Sequence, residues 1–290
     1  MNIAINNQIG ISIDSYHVRR LQSEILKLYD VFRVFCRRHG LRFYGLYGTI
    51  LGAVRHNGFI PWDDDMDVAM PRRDYDRFLE LVEAELPDDM KLVSYDRTPG
   101  YTNMFGKITL ANPDLVRSVE TELCCRLPEG IYLDVFPLDG LPKSCLSRGW
   151  HLFRRAVLKA GQYSISSTHK GNNCLKRFIR GILYWVCKVF YRDAHSVRDY
   201  MDKQVSILRE NDFYSAPFVS ELGWITKEYR CLFKRRGIEA EIWGEPKWVD
   251  FEGTVVPIPA QSECYLRTTY GDYMSLPPES MRRPSHCKKG

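Results

Sequence analysis

The sequence has no uninterrupted apolar run long enough to cross a bilayer, and it has no basic-then-apolar leader at its start. Met1 to Gly10 is polar and rich in asparagine, so no signal peptide is read there and the protein is expected in the cytoplasm. The nine cysteines, including the adjacent Cys124 and Cys125, nowhere take a C-x-x-C spacing. An odd count without that spacing argues against a disulfide framework or a zinc site and fits a reducing compartment. Internal repeats, low-complexity tracts and Gly/Pro-rich linkers are missing too, so nothing marks a separate domain. Neither sign of charge dominates: a net charge of +5 over 290 residues suits acidic phosphate substrates or an anionic surface without requiring nucleic acid.

What is present is 44% hydrophobic content, ample for a full core, and one acidic cluster. In Pro61-Trp62-Asp63-Asp64-Asp65-Met66-Asp67-Val68-Ala69-Met70, four carboxylates fall within five residues. Such a cluster opposes its own ionisation unless a cation sits among the oxygens. Asp65 and Asp67 alternate with Met66 and Val68, which on a strand turns both carboxylates to one face and both apolar side chains to the core. Carboxylate oxygens suit Mg2+, with Mn2+ as its substitute, and Mg2+ completes its shell with water and substrate phosphates. A calcium loop fails, because Val68 stands where its turn needs glycine and Asp74, behind Pro71, stands where it needs glutamate. A solvated acidic turn is the plainer alternative, and the apolar alternation speaks against it.

The surrounding chain reads as alternating helix and strand. From Ser15 to His39, Val18, Leu21, Ile25, Leu28, Phe32 and Phe35 recur at helical spacing and Gly40 supplies the stop. Leu41 to Tyr47 reads as a strand that Gly48-Thr49 turns into a short helix through Ile50, Leu51 and Val54. Free N–H groups at that helix start favour anions, so Gly48 and Thr49 are candidate phosphate contacts. Arg55 follows as a second, either on phosphate or paired with an aspartate. Pro71 starts a helix with Tyr75, Phe78, Leu79 and Val82 on its buried face. Strands follow near Lys91 to Tyr95 and Met104 to Thr109, the latter carrying Lys107, a further phosphate candidate if it faces inward. Asp134 interrupts the apolar strand Gly130 to Leu138. A carboxylate there is costly unless paired or on a metal, so it reads as the third ligand beside Asp65 and Asp67. Asp139-Gly140 reads instead as a strand-end turn.

Ser147 to Tyr214 turns helical and basic. Within it, Phe178 to Tyr191 is apolar and aromatic but holds Arg180 and Lys188 and is too short to span. It reads as a core helix. The alternative is an interfacial helix with Lys176, Arg177 and Arg180 beside it, resting on the inner face of a membrane. Ile242 to Ile258 returns to strand-like runs before Tyr270-Gly271-Asp272-Tyr273 and Leu276-Pro277-Pro278.

Gly48 to His56, Pro61 to Asp67, Ile131 to Gly140, and Tyr270 to Tyr273 with the following Leu-Pro-Pro resemble, in that order, the LicD family of bacterial phosphocholine transferases and fukutin-related proteins. The resemblance runs from about Tyr16 to His286. It implies an α+β fold, a nucleotidyltransferase-like mixed sheet flanked by helices with a helical lobe at 147–214. Residues 16–286 would form one domain with tails at 1–15 and 287–290, and 242–286 would return to the site. It further implies transfer of a phosphorylated alcohol from a CDP-linked donor to a glycan or lipid-linked sugar hydroxyl, with Asp65, Asp67 and Asp134 as metal-binding carboxylates and Gly48 and Thr49 as the phosphate turn. Asp63 and Asp64 belong to the same motif, and Asp272 to the last one. If the alcohol is choline, an aromatic cage is expected, with Trp62, Tyr44, Tyr47 and Tyr273 as candidates by position. Choline, ribitol and glycerol phosphates all stay open. Two other functions compete: nucleotidyl transfer from a nucleoside triphosphate, which uses the same carboxylate platform, and a catalytically inactive glycan-assembly scaffold.

Overall fold

The helical spacing at the start of the chain builds α1 (Ile13–His39), whose Leu21, Ile25, Leu28, Phe32 and Phe35 are buried and which ends at Gly40 with φ +62°. The structure is a computed structural model and describes residues 13–123, 125–127, 129–165, 174–221, 237–286 and 288–289. Residues 1–12 of the first expected tail and residues 287 and 290 of the second lie outside these residues.

After α1 come β1 (Tyr44–Gly45), α2 (Gly48–His56), β2 (Asp67–Pro71) and α3 (Arg72–Leu81). Next are β3 (Met90–Val93), β4 (Gly106–Leu110), α4 (Pro113–Leu123), β5 (Cys125–Arg126) and the long β6 (Tyr132–Leu141). Three helices follow: α5 (Cys145–Ile165), α6 (Cys174–Phe190) and α7 (Val197–Leu208). The remainder comprises β7 (Phe218–Glu221), β8 (Ile238–Glu239), α8 (Ala240–Trp243), the hairpin β9 (Lys247–Phe251) and β10 (Thr254–Ile258), α9 (Ser262–Tyr270) and β11 (Lys288–Lys289).

The main sheet runs β1-β2-β6-β4-β3, with β7 and β8 continuing from the far end of β6. Only β2 and β6 pair in parallel among the described strands; the other pairs are antiparallel. This mixed sheet flanked by helices is the expected α+β, nucleotidyltransferase-like architecture. β6 is buried along its whole length because β2 covers one edge and β4 and β7 share the other. An apolar run with so few polar interruptions is what a strand in that position requires.

Several local expectations change. The strand at Leu41 to Tyr47 shortens to two residues, since Tyr47 takes φ 44° and ψ −116° to enter α2 at once. Asp65 lies before β2 rather than on it, although Met66 and Val68 are buried as the alternation requires. Asp139 is no turn residue: β6 continues past it, and its fully buried carboxylate accepts from Arg72 Nε at 2.7 Å and Nη2 at 2.9 Å. That bidentate pair joins α3 to the central strand. The first residues of the run from Ile242 lie in α8 rather than in a strand, and the rest forms the hairpin, turned through Glu252 and Gly253 at positive φ. The core-helix reading of Phe178 to Tyr191 fails too. Within that stretch of α6, Cys187 is fully buried and packs among Val157, Leu158 and Tyr200, while Phe178, Ile182, Trp185, Val189 and Phe190 are exposed. The cysteines at 36, 145, 187 and 264 are free.

Candidate active site

Strand register assembles the site. Asp67 opens β2, and its Cα partner across the parallel pair is Asp134 on β6. Asp134 is in turn the partner of Lys107 on β4. Directly paired residues project to the same side of a sheet, so Asp67, Asp134 and Lys107 form a row across three strands. The neighbouring Val68, Val135 and Ile108 are buried in the hydrophobic core. Lys107 is buried, contacts Asp134 Oδ1 at 2.8 Å and Glu129 Oε2 at 3.0 Å, and sits 3.5 Å from the centre of the Tyr132 ring.

The acidic loop and α2 meet that row from the side. Thr49 Oγ1 accepts the Asp67 N–H at 3.0 Å, fastening the first turn of α2 to the start of β2. Gly48 lets the Asp63 carboxylate approach closely: a β-carbon there would collide with Asp63 Oδ2 and push that side chain aside. Burial raises the Asp63 carboxyl well above its usual range, with the charges of Asp65 and Asp64 adding to it and a hydrogen bond to Asp65 favouring the proton on Asp63. Burial also raises Asp65, opposed by His286. Asp67 is pushed up strongly by burial and then by the charges of Asp65, Asp134 and Asp63, and none of the described hydrogen bonds reaches its carboxylate oxygens. Asp134 is pushed up to about 6 by burial, less than it would be without Lys107. Tyr270, at the end of α9, is raised by burial and by Asp63, Asp67 and Asp65, which places the last helix beside the carboxylates.

The resemblance has 242–286 returning to the site, but sequence reasoning singled out neither Ser285 nor His286. β11 pairs with β5, and just before it Asp64 is wrapped by Ser285 and His286. The Asp64 carboxylate accepts from Ser285 N–H at 3.0 Å and His286 N–H at 2.8 Å, and His286 Nδ1 lies 3.2 Å from Asp64 Oδ1 and 3.3 Å from Asp65 Oδ2. The hydrogen bond to Asp64, followed by the charges of Asp65, Asp64 and Asp134, pushes His286 up to about 9 against the cost of burial. An imidazole that far up is a cation at neutral pH, so Lys107 and His286 both offset the carboxylates. No local pattern announces His286, because most of the chain separates it from Asp65.

The donor set fits a hard divalent ion. Beyond burial, the charge of Asp65 raises the proton affinity of both Asp67 and Asp134, and Asp134 adds to that of Asp67, the signature of carboxylates short of positive charge. Among the described residues, Asp64, Asp65 and His286 also bring one donor atom each within 4.8 Å of the others. Asp65 is common to both groupings.

Other candidates have partners of their own among the described residues. Among the described residues Arg55 pairs with no aspartate: its hydrogen bonds go to the Tyr273 carbonyl at 2.7 Å, the Ser275 carbonyl and the His56 ring. Asp272 accepts from Ser275 Oγ at 2.5 Å. The four proposed cage aromatics each meet a different partner. Tyr44 is fully buried and donates to the Gly244 carbonyl, Tyr47 donates to Glu221 Oε1, Trp62 lies under Arg282, and Tyr273 lies under Arg267.

A mixed sheet with carboxylates side by side on adjacent strands, next to a Gly-Thr helix start, defines a nucleotidyltransferase-like protein. The comparisons with known proteins agree. Residues 40–108 match the family model described as LicD/FKTN/FKRP, nucleotidyltransferase domain, a span that includes the turn, the acidic loop and Lys107 but not Asp134. The chain is 25% identical over 276 residues to the lipopolysaccharide cholinephosphotransferase LicD of Haemophilus influenzae, covering 94% of this chain and 97% of that protein. An uncharacterized protein of Rickettsia typhi is 31% identical over 64 residues, 21% of each chain. The chain thus resembles the LicD/FKTN/FKRP family over residues 40–108 and a LicD protein over nearly its whole length.

Proposed function

We propose that this protein is a Mg2+-dependent phosphotransferase that moves phosphocholine from CDP-choline to a hydroxyl group of a lipopolysaccharide-type glycan. The single observation that carries this reading is the register of Asp67, Asp134 and Lys107 across three strands, beside a helix start where the missing β-carbon of Gly48 leaves room for the Asp63 carboxylate. The full-length likeness to a lipopolysaccharide cholinephosphotransferase supports choline as the alcohol and a glycan as the acceptor.

Phosphoryl transfer depends on positioning and on neutralising charge at the transferred group. Asp65 and Asp67 would hold the ion, with Asp134 bordering it. The ion would supply Lewis-acid stabilisation of the phosphate oxygens. Gly48 would present its N–H at the start of α2 to the donor's diphosphate, whereas the Thr49 N–H is already taken by the Leu46 carbonyl at 2.9 Å and Thr49 serves to fasten α2 to β2. Lys107 brings a fixed positive charge to the same face. The acceptor hydroxyl oxygen bonds to the phosphorus carrying choline, the bond from that phosphorus to the bridging oxygen breaks, and CMP departs with the bridging oxygen. Asp134 takes the proton of the attacking hydroxyl, and Lys107 stabilises its ionised form before transfer.

Incubation of the protein with CDP-choline, Mg2+ and a lipopolysaccharide acceptor, followed by chromatography of the nucleotides and mass analysis of the glycan, tests this. CMP should accumulate in step with a phosphocholine mass increase on the glycan. Release of pyrophosphate from a nucleoside triphosphate, without CMP from CDP-choline, would overturn it in favour of nucleotidyl transfer.

A further inference from the structure

Helix α6 carries an apolar stripe that nothing in the transferase reading uses. Phe178, Ile182, Trp185 and Val189 recur at intervals of four, three and four residues, one face of a helix, and are 67%, 50%, 73% and 56% exposed. The opposite side meets the molecule through Cys187, which fits against Gly161 and Tyr200, where a β-carbon on Gly161 would collide with both. The stripe is therefore the outward face of a helix anchored from behind. A row of large apolar side chains including tryptophan, held in water, is costly to leave uncovered.

The charge of the helix indicates what covers it. Cys174–Phe190 contains Lys176, Arg177, Arg180 and Lys188 and no acidic residue. Helical spacing puts positions 177 and 188, three turns apart, along one flank of the stripe. Asp193, the first acid beyond the helix, is paired with Lys203 at 2.6 Å. Among the described residues no helix is long and apolar enough to cross a membrane, so α6 is built to lie along a surface. Aromatic and aliphatic side chains on one face with cations beside them are the pattern of a helix seated in the headgroup region of an anionic bilayer. A purely cationic helix suits that surface better than a second copy of itself, which would bring the same charges face to face.

We infer that α6 docks this protein on an anionic phospholipid bilayer through the Phe178, Ile182, Trp185 and Val189 face. The catalytic row lies on the main sheet, so docking and chemistry are separable.

The test is co-sedimentation of the full-length protein with vesicles of phosphatidylcholine alone or with about one third phosphatidylglycerol, at low and high salt, with light scattering of the free protein alongside. Wild type should pellet with the anionic vesicles at least tenfold more than with neutral ones and lose that preference in high salt. The double variant Phe178→Ser/Trp185→Ser should lose binding by at least tenfold, and Lys188→Glu should weaken it several-fold. Both should keep the wild-type melting temperature and CMP release with a soluble acceptor. Equal pelleting of wild type and the double variant would overturn the inference. So would a wild-type dimer that the double variant dissolves into monomers, which would make the stripe a contact between copies.

Discussion

Replacing Asp134 with asparagine should make the metal-free protein more stable while removing its activity. Burial pushes the Asp134 carboxyl from 3.8 up to about 6. Its folded pKa is raised, so the folded state holds the proton more tightly than the unfolded chain. Stability from this group is full below pH 3.8, declines as the pH rises through the interval up to about 6, and stays level above it. One pKa unit corresponds to about 1.4 kcal/mol, so the ionised carboxylate costs the folded protein on the order of 3 kcal/mol at pH 7.5 and roughly half of that at pH 5. The amide of an asparagine carries no charge and escapes that cost. In chelator, Asp134→Asn should therefore melt roughly 6–12 °C above wild type at pH 7.5, and by about half that margin at pH 5. Mg2+ should narrow the gap by stabilising wild type more than the variant, which loses a bordering negative charge. Calorimetry at the two pH values, each with chelator and with Mg2+, reads all of these quantities. A variant no more stable than wild type at pH 7.5, or a margin independent of pH, would refute the claim that the carboxylates are short of positive charge.

Asp139→Ala should destabilise the protein by about 3–5 kcal/mol by stranding the buried Arg72 guanidinium; Arg72→Met/Asp139→Leu should recover most of that loss in denaturant titration. Gly48→Ala should fold but lose on the order of 100-fold in kcat/KM for CMP release, because the new methyl displaces Asp63 from the start of α2. Asp64→Ala should cost about 1.5–3 kcal/mol through the lost hydrogen bonds from Ser285 and His286, and limited proteolysis should then remove the C-terminal segment faster than in wild type.

Much of this was legible in the sequence wherever the signal was local. α1 follows from its apolar period, α2 from Gly48-Thr49, and the oddity of Asp134 from a single carboxylate in an apolar strand. The difficult features depend on partners distant in the chain. Lys107 looks like an ordinary surface strand residue until the β4–β6 pairing sets it on Asp134. Asp139 resembles a turn because Asp-Gly so often is one, and only Arg72, 67 residues earlier, explains its burial. Arg55 is held by carbonyls of a segment 218 residues away. The exposure of α6 was hidden for the opposite reason: an aromatic helix has the same composition whether its face meets a core or a lipid surface.

The central claim is that the carboxylate row holds an ion needed to engage a CDP-linked donor. It is tested most directly by the thermal stability of wild type and Asp67→Asn with CDP-choline, CDP-ribitol, CDP-glycerol and nucleoside triphosphates, each with Mg2+ and with chelator. A ligand that binds only the folded state at a hundred times its Kd adds about 2.7 kcal/mol. For wild type we expect a rise of roughly 5–10 °C with CDP-choline and Mg2+ together, little with either alone, and none in Asp67→Asn. An equal rise in chelator, a rise retained by Asp67→Asn, or a rise with triphosphates only would contradict the account.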